Sequence, residues 1–208
     1  MDGRLGRRED NKLQKRERLE AAGLAHFEEL GYDRASIEQI SAAADVARGT
    51  FYLYFSDKHA LFSALCDRWY VPVRTLLQRT ADRVDGAAHA FDLLAVYQDM
   101  ALGLTATGVS YGREINVAFR ELRRAGEAGD ELRQRERALL EIAVGFTRVA
   151  SERGLIQTGD PRVAAYVVYG ASERLYYEML HGSELGEPAV AAAEAVALFT
   201  RAFGLGLR

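Results

Sequence analysis

Apolar residues at Leu19, Ala22, Gly23, Phe27 and Leu30 follow the 3, 4, 3 spacing of an amphipathic helix. Gly31 then supplies the left-handed position that ends it. Ser36-Ile37-Glu38-Gln39 reads as a capping box, Ser36 capping an amide three residues on while Gln39 reaches back. A short helix is predicted from about Ile37 to Ala44. Asp45-Val46 makes a tight turn, Asp45 tolerating the left-handed backbone a glycine would otherwise fill. A second short helix follows over roughly 47–54. Ser56 is expected to cap a longer helix through Lys58, Leu61, Phe62, Leu65 and Trp69.

The remaining punctuation is helical. Pro72 falls inside the apolar pattern from Leu61 to Leu77, so a kink or break is expected there. Gly86 and the pair Gly126/Gly129 mark joints. Asp130 to Arg153 reads as a long amphipathic helix closed by Gly154. Asp160-Pro161, an N-cap followed by proline at the first helical position, opens a helix ended by Gly182. Glu187-Pro188 opens the last one. No sustained alternating pattern and no fixed-period repeat appears, so the fold class expected is all-α.

Composition agrees: 49% hydrophobic and 27% charged residues over 208 positions describe a globular protein of one domain or two small ones. The longest charge-free run, Met100 to Gly112, is shorter than the ~20 residues that span a bilayer. No secretory pattern opens the chain, and lone Cys66 cannot form an internal disulfide, so a cytoplasmic location and no membrane association are expected. The net charge of -3 runs against a generally basic nucleic-acid binder. Any such role must come from local pattern.

That pattern lies in the first 58 residues. Ile40, Ala44, Val46 and Phe51 can pack the two short helices together, with small Ser41 allowing close approach, which makes a helix-turn-helix. The second helix is left with Arg48, Gly49, Thr50, Tyr52 and Tyr54 on its outer face. The stretch from Ser36 to Lys58, with Gly49-Thr50-Phe51-Tyr52, Tyr54-Phe55, Lys58 and Leu61 at its centre, strongly resembles the TetR family of transcriptional regulators. Ser36 stands where the family commonly has Thr, Asp45 where it has a turn glycine, and His59 where it has an acidic residue.

The resemblance implies an N-terminal three-helix helix-turn-helix DNA-binding domain over 1–57, its first ten residues a flexible basic arm. A helical effector-binding and dimerisation domain would fill 58–208. Arg48, Gly49 and Thr50 would open the recognition helix in the major groove, Arg48 reading a guanine through two bonds and Gly49 allowing close backbone approach. Tyr52, Tyr54, Lys58 and the Ser36 hydroxyl would hold phosphates. The segment Arg4 to Arg18 carries seven basic and three acidic residues and reads either as an arm along the DNA or as a solvated tail.

The same resemblance implies a homodimer through the last two helices, roughly 161–181 and 188–203, presenting two recognition helices to a palindromic double-stranded operator. Trp69, Tyr97, Met100, Phe119, Phe146, Tyr169 and Tyr176, with Glu173 as a polar anchor, are the candidate pocket for a small apolar or aromatic effector; taken singly, each reads more readily as core. The function implied is a dimeric repressor released by that effector. A helical dimer acting through a protein partner, or a regulator whose DNA binding requires the effector, is the alternative.

Catalysis and cofactors are not expected. Glu178-Met179-Leu180-His181 has the Glu-x-x-His spacing of di-iron bundles, but no second copy exists. His26, His59 and His89 fit no metal spacing, so no metal site is expected.

Overall fold

The computed structural model describes residues 3–182 and 185–204, and among these every regular element is a helix. In chain order they are α1 (Gly3–Leu30), α2 (Ile37–Ala43), α3 (Arg48–Phe51), α4 (Lys58–Gly86), α5 (Ala90–Leu122), α6 (Glu127–Glu152), α7 (Pro161–Leu180) and α8 (Pro188–Ala202). The segment expected as a flexible arm continues as α1 from Gly3, while Met1 and Asp2 lie outside the described residues.

The chain divides into two compact units. The first runs to Arg68 and also takes in Arg113–Leu132; the second comprises Trp69–Gly112 and the chain from Arg133 on. The sequence reading had placed a boundary at Lys58 and assigned 113–132 to the other domain. Amphipathic spacing tells that a helix has a buried face but not which unit buries it.

In the first unit Leu19 and Phe27 of α1, Ile40 of α2, Phe51 of α3 and Leu61 and Phe62 of α4 are essentially inaccessible. Phe62 meets the rings of Phe27 and Tyr32 edge-on at 5.6 and 5.0 Å, geometry that favours the edge of one ring against the face of another. α1 ends at Gly31, whose φ of 83° admits glycine and whose amide donates to the Phe27 carbonyl at 3.1 Å. A Cβ there would also press on the Arg124 guanidinium at 2.9 Å.

Residues 113–132 pin the α1 C-terminus. Arg120 donates to the carbonyls of Phe27 and Glu28, the latter at 2.6 Å, supplying cationic donors where a helix leaves its last carbonyls open. Buried Glu121 accepts the Tyr32 amide at 3.2 Å. The Tyr32 hydroxyl donates to Glu127 at 2.9 Å, and Ser63 of α4 donates to Glu131 at 2.8 Å. Burial, then the hydrogen bond to Glu127, raises the Tyr32 pKa well above its ordinary value.

In the second unit Leu77 and Val84 of α4, Leu93 and Val96 of α5, Leu139, Phe146 and Ala150 of α6, and Leu155 and Ile156 beyond it form one cluster. Arg153 caps α4 through the carbonyls of Val84, Asp85 and Ala87. Asp160 caps α7, accepting the Arg162 amide at 2.8 Å, with Pro161 at the first helical position.

Two local expectations are corrected. Pro72 does not end α4, which runs on to Gly86; buried Leu61, Phe62 and Leu65 before it and Leu77 and Val84 after it hold both flanks helical despite one lost backbone bond. The interruption falls instead in α5, where Tyr111 leaves helical geometry (φ -125°, ψ 27°). The cap of α4 is Asp57 rather than Ser56: Asp57 Oδ1 accepts the Ala60 amide at 2.7 Å and Ser56 donates to Asp57. A carboxylate at a helix start also meets the positive end of the dipole.

Candidate nucleic-acid interface

α2 and α3 are joined by a turn in which Asp45 has φ 53°, the left-handed backbone read from its side chain. The Val46 amide donates to the Ser41 carbonyl at 3.0 Å, and buried Ser41 and Ile40 face buried Phe51. The capping box is complete: Ser36 Oγ accepts the Gln39 amide at 3.2 Å, and Gln39 Oε1 accepts the Ser36 amide at 3.1 Å. Ser36 Oγ also donates to Gln39 Oε1 at 2.9 Å. Its one hydroxyl proton is thus directed into the cap.

Among the expected contact residues, Arg48, Gly49 and Tyr52 are exposed, and Thr50 and Tyr54 are half-buried. They share one short stretch of α3 and the turn after it. A Cβ on Gly49 would meet no atom within 4 Å, so nothing inside the chain requires glycine there. Arg48 Nη1 lies 2.8 Å from Glu38 Oε1 of α2. Hydrogen bonding to Tyr52 and then the Glu38 charge raise the Arg48 pKa above its ordinary value.

Lys58 departs from expectation. Its ammonium donates to the carbonyls of Tyr32, Ala35 and Asp33 at 2.7, 3.1 and 3.3 Å, and it lies 4.4 Å over the Tyr32 ring. An ammonium has three donors, and all three point into the α1–α2 loop instead of toward an external phosphate. The negative charge that Asp45 adds is met by Arg18 of α1 at 3.6 Å. Neither Glu38 nor Arg18 is marked by any sequence motif, because each faces its partner only once the helices pack.

Of the residues expected around an effector, Trp69, Tyr97 and Met100 pack with Phe146 in the cluster of the second unit, Tyr97 and Phe146 having ring centres 6.3 Å apart. Trp69 Nε1 is buried without a hydrogen-bond partner. Burial pushes the Tyr97 and Tyr176 hydroxyls up to about 12. Tyr169 is raised further, by burial first and then by the charges of Glu136 and Glu173. Phe119 falls in the first unit. An open groove of about 430 Å³ lies elsewhere on α7, lined by Arg162, Val163, Tyr166 and Val167. His181, the histidine of the Glu-x-x-His run, bonds the Tyr177 carbonyl at 2.8 Å at the end of α7.

Two short helices across a tight left-handed turn, the second with an exposed polar face and both sharing a core with α1 and α4, define a helix-turn-helix protein. Residues 19–65 match the family described as "Bacterial regulatory proteins, tetR family". The chain is 40% identical over 75 residues to the uncharacterized HTH-type transcriptional regulator YvdT of Bacillus subtilis (strain 168). That match covers 36% of this chain and about a third, 35%, of the relative. The fold resembles the SmeT–triclosan complex (TM-score 0.72, 22% identity, 91% of both chains). It also resembles NalD, the secondary repressor of the MexAB-OprM multidrug efflux pump in Pseudomonas aeruginosa (TM-score 0.72, 19% identity, 93% of this chain and 98% of that one). The family match takes in the helix-turn-helix and the start of α4.

Proposed function

We propose that this protein is a sequence-specific DNA-binding transcriptional regulator, a dimeric repressor that leaves a palindromic operator when a small apolar or aromatic effector binds. The observation that carries the DNA-binding reading is Gly49. Glycine inside a helix costs about 1 kcal/mol relative to alanine, and no neighbour within the chain explains it. A backbone or base edge brought against α3 from outside does. Arg48 beside it offers donors for a guanine, while Tyr52 and Tyr54 flank it for phosphates. Ser36 and Lys58 act as the cap and the tie that hold this surface, not as contacts. A regulator of this kind works in the cytoplasm, where the DNA is.

Dimerisation is supported by the exposed apolar side chains of α7 and α8: Val163, Tyr166 and Val167 on one helix, Val190 and Leu198 on the other. A contiguous apolar face of this kind marks an association surface, and a two-fold pairing would repeat the recognition helix for a palindrome. The effector reading is supported by the aromatic, weakly charged grouping of Trp69, Tyr97, Met100 and Phe146; Tyr169, Tyr176 and Glu173 of α7 are its further candidates.

Selection of random duplex DNA by the purified protein tests the reading, with Arg48→Ala in parallel. An enriched palindrome that is lost or relaxed with Arg48→Ala is the expected result. No enrichment by a folded dimer at low salt overturns it and favours action through a protein partner.

A further inference from the structure

The contact between Glu38 and Arg48 joins α2 to α3 across the surface assigned above to DNA. The two groups are 2.8 Å apart, and their side chains are 56% and 61% exposed. Tyr52, one turn beyond Arg48, hydrogen-bonds the same side chain. An ion pair this exposed contributes little to folding; the stabilising part of Glu38 is its place in the first turn of α2, at the positive end of the helix dipole, which does not require Arg48. Phosphates give a reason against a carboxylate on this face. A guanidinium carries five N–H donors in a fixed plane, and engaging Glu38 and Tyr52 leaves others directed to solvent.

We propose that Glu38 is a specificity-determining positioning residue: its carboxylate holds the Arg48 guanidinium oriented for base reading and, by its charge, weakens attachment to DNA that lacks the right base. The inference rests on the DNA-binding reading. Attraction between arginine and phosphate is independent of sequence. A carboxylate partner offsets part of that attraction on every duplex alike. Where Arg48 finds a guanine, its remaining planar donors make a directional contact with Glu38 still in place, so the loss is recovered only there. Discrimination is a difference between two affinities, and Glu38 widens it by lowering the unwanted one. Arg48 with free torsions would instead reach any nearby phosphate.

The test uses the full chain and its Glu38→Gln, Arg48→Ala and doubly substituted variants. The probes are a duplex carrying the palindrome that the wild type enriches and a scrambled duplex of equal length and composition. Dissociation constants are measured over a salt series, and thermal melts by circular dichroism verify folding; Glu38→Ala serves as a second variant. Glu38→Gln is expected to bind the scrambled duplex at least threefold tighter and to lower the palindrome-to-scrambled ratio at least threefold. Tolerance should broaden at one base position per half-site. In the Arg48→Ala background the same change should move the ratio less than threefold, because the guanidinium it positions is gone. A smaller fall in the ratio with Arg48 present overturns the proposal. So does a threefold or larger change with Arg48 absent, which would make Glu38 a base contact in its own right. A folded wild type that enriches no palindrome overturns the DNA-binding reading, and this inference with it.

Discussion

Lys58 donates to the Tyr32 carbonyl at 2.7 Å and rests 4.4 Å above the same residue's ring, so the first residue of α4 is tied to the loop between α1 and α2. The carbonyls of Ala35 and Asp33 complete the tie. Because α2 begins two residues after Ala35, the tie sets where the helix-turn-helix starts relative to α4.

Lys58→Met keeps the aliphatic stem and removes the donors. Hydrogen bonds involving a charged group contribute about 1.5–3 kcal/mol, and urea unfolding should register a loss of about 2 kcal/mol. An unchanged midpoint with a large loss of DNA affinity would mean that the ammonium serves phosphate instead.

Gly49→Ala should separate stability from binding. With open space around the new methyl, the fold is expected to gain about 0.5–1 kcal/mol from helix propensity. Affinity for the selected palindrome should fall at least tenfold. Equal affinity in a fluorescence anisotropy titration would remove the close-approach argument.

Asp57 has a pKa below its ordinary 3.8, held down mainly by the Ala60 amide. A depressed carboxylate stabilises the fold above its unfolded pKa, and that contribution is lost as pH falls through the folded value. Asp57→Ala should therefore cost about 1 kcal/mol at pH 7, the usual worth of an N-cap. The gap between the two melting temperatures should narrow below about pH 4. A gap that stays constant down to pH 2 would contradict the cap.

Glu121 is 2% exposed and accepts the Tyr32 amide while Arg124 lies 3.4 Å away. Glu121→Ala leaves the buried Tyr32 amide without this acceptor, and an unsatisfied buried donor costs about 1–3 kcal/mol, towards the upper end where the lost acceptor is charged. Chemical denaturation should show a loss near 3 kcal/mol; less than 1 would mean that solvent already reaches the site.

Tyr166→Asp tests the α7 face. A charge placed among Val163 and Val167 should convert the dimer to monomer in light scattering while the far-ultraviolet spectrum stays helical. An intact dimer would move the interface elsewhere.

The helical class, the caps at Ser36 and Asp160 and the left-handed turn at Asp45 follow from residue order alone. The capping box at Ser36 and Gln39, Gly31, Asp160-Pro161 and the spacing of Leu19, Phe27 and Leu30 all act between residues a few positions apart, where chain connectivity already brings the groups together. Even there the cap of α4 falls on Asp57 and not Ser56, and of the kink or break expected at Pro72 the break does not occur, its local cost being outweighed by the packing of Leu61, Phe62 and Leu77. The exposed residues of the candidate interface were legible as well, because a face left after the apolar positions are assigned needs no partner to define it.

What those residues touch depends on packing between distant parts of the chain. Lys58 lies 26 positions from Tyr32, and Glu121 lies 89 from it. The inclusion of 113–132 in the first unit, the Glu38–Arg48 pair and the use of the Ser36 proton depend likewise on where side chains point after packing. Charges and polar groups find partners by distance through space, on a scale of about 3 Å, and sequence spacing sets that distance only within a single helix or turn.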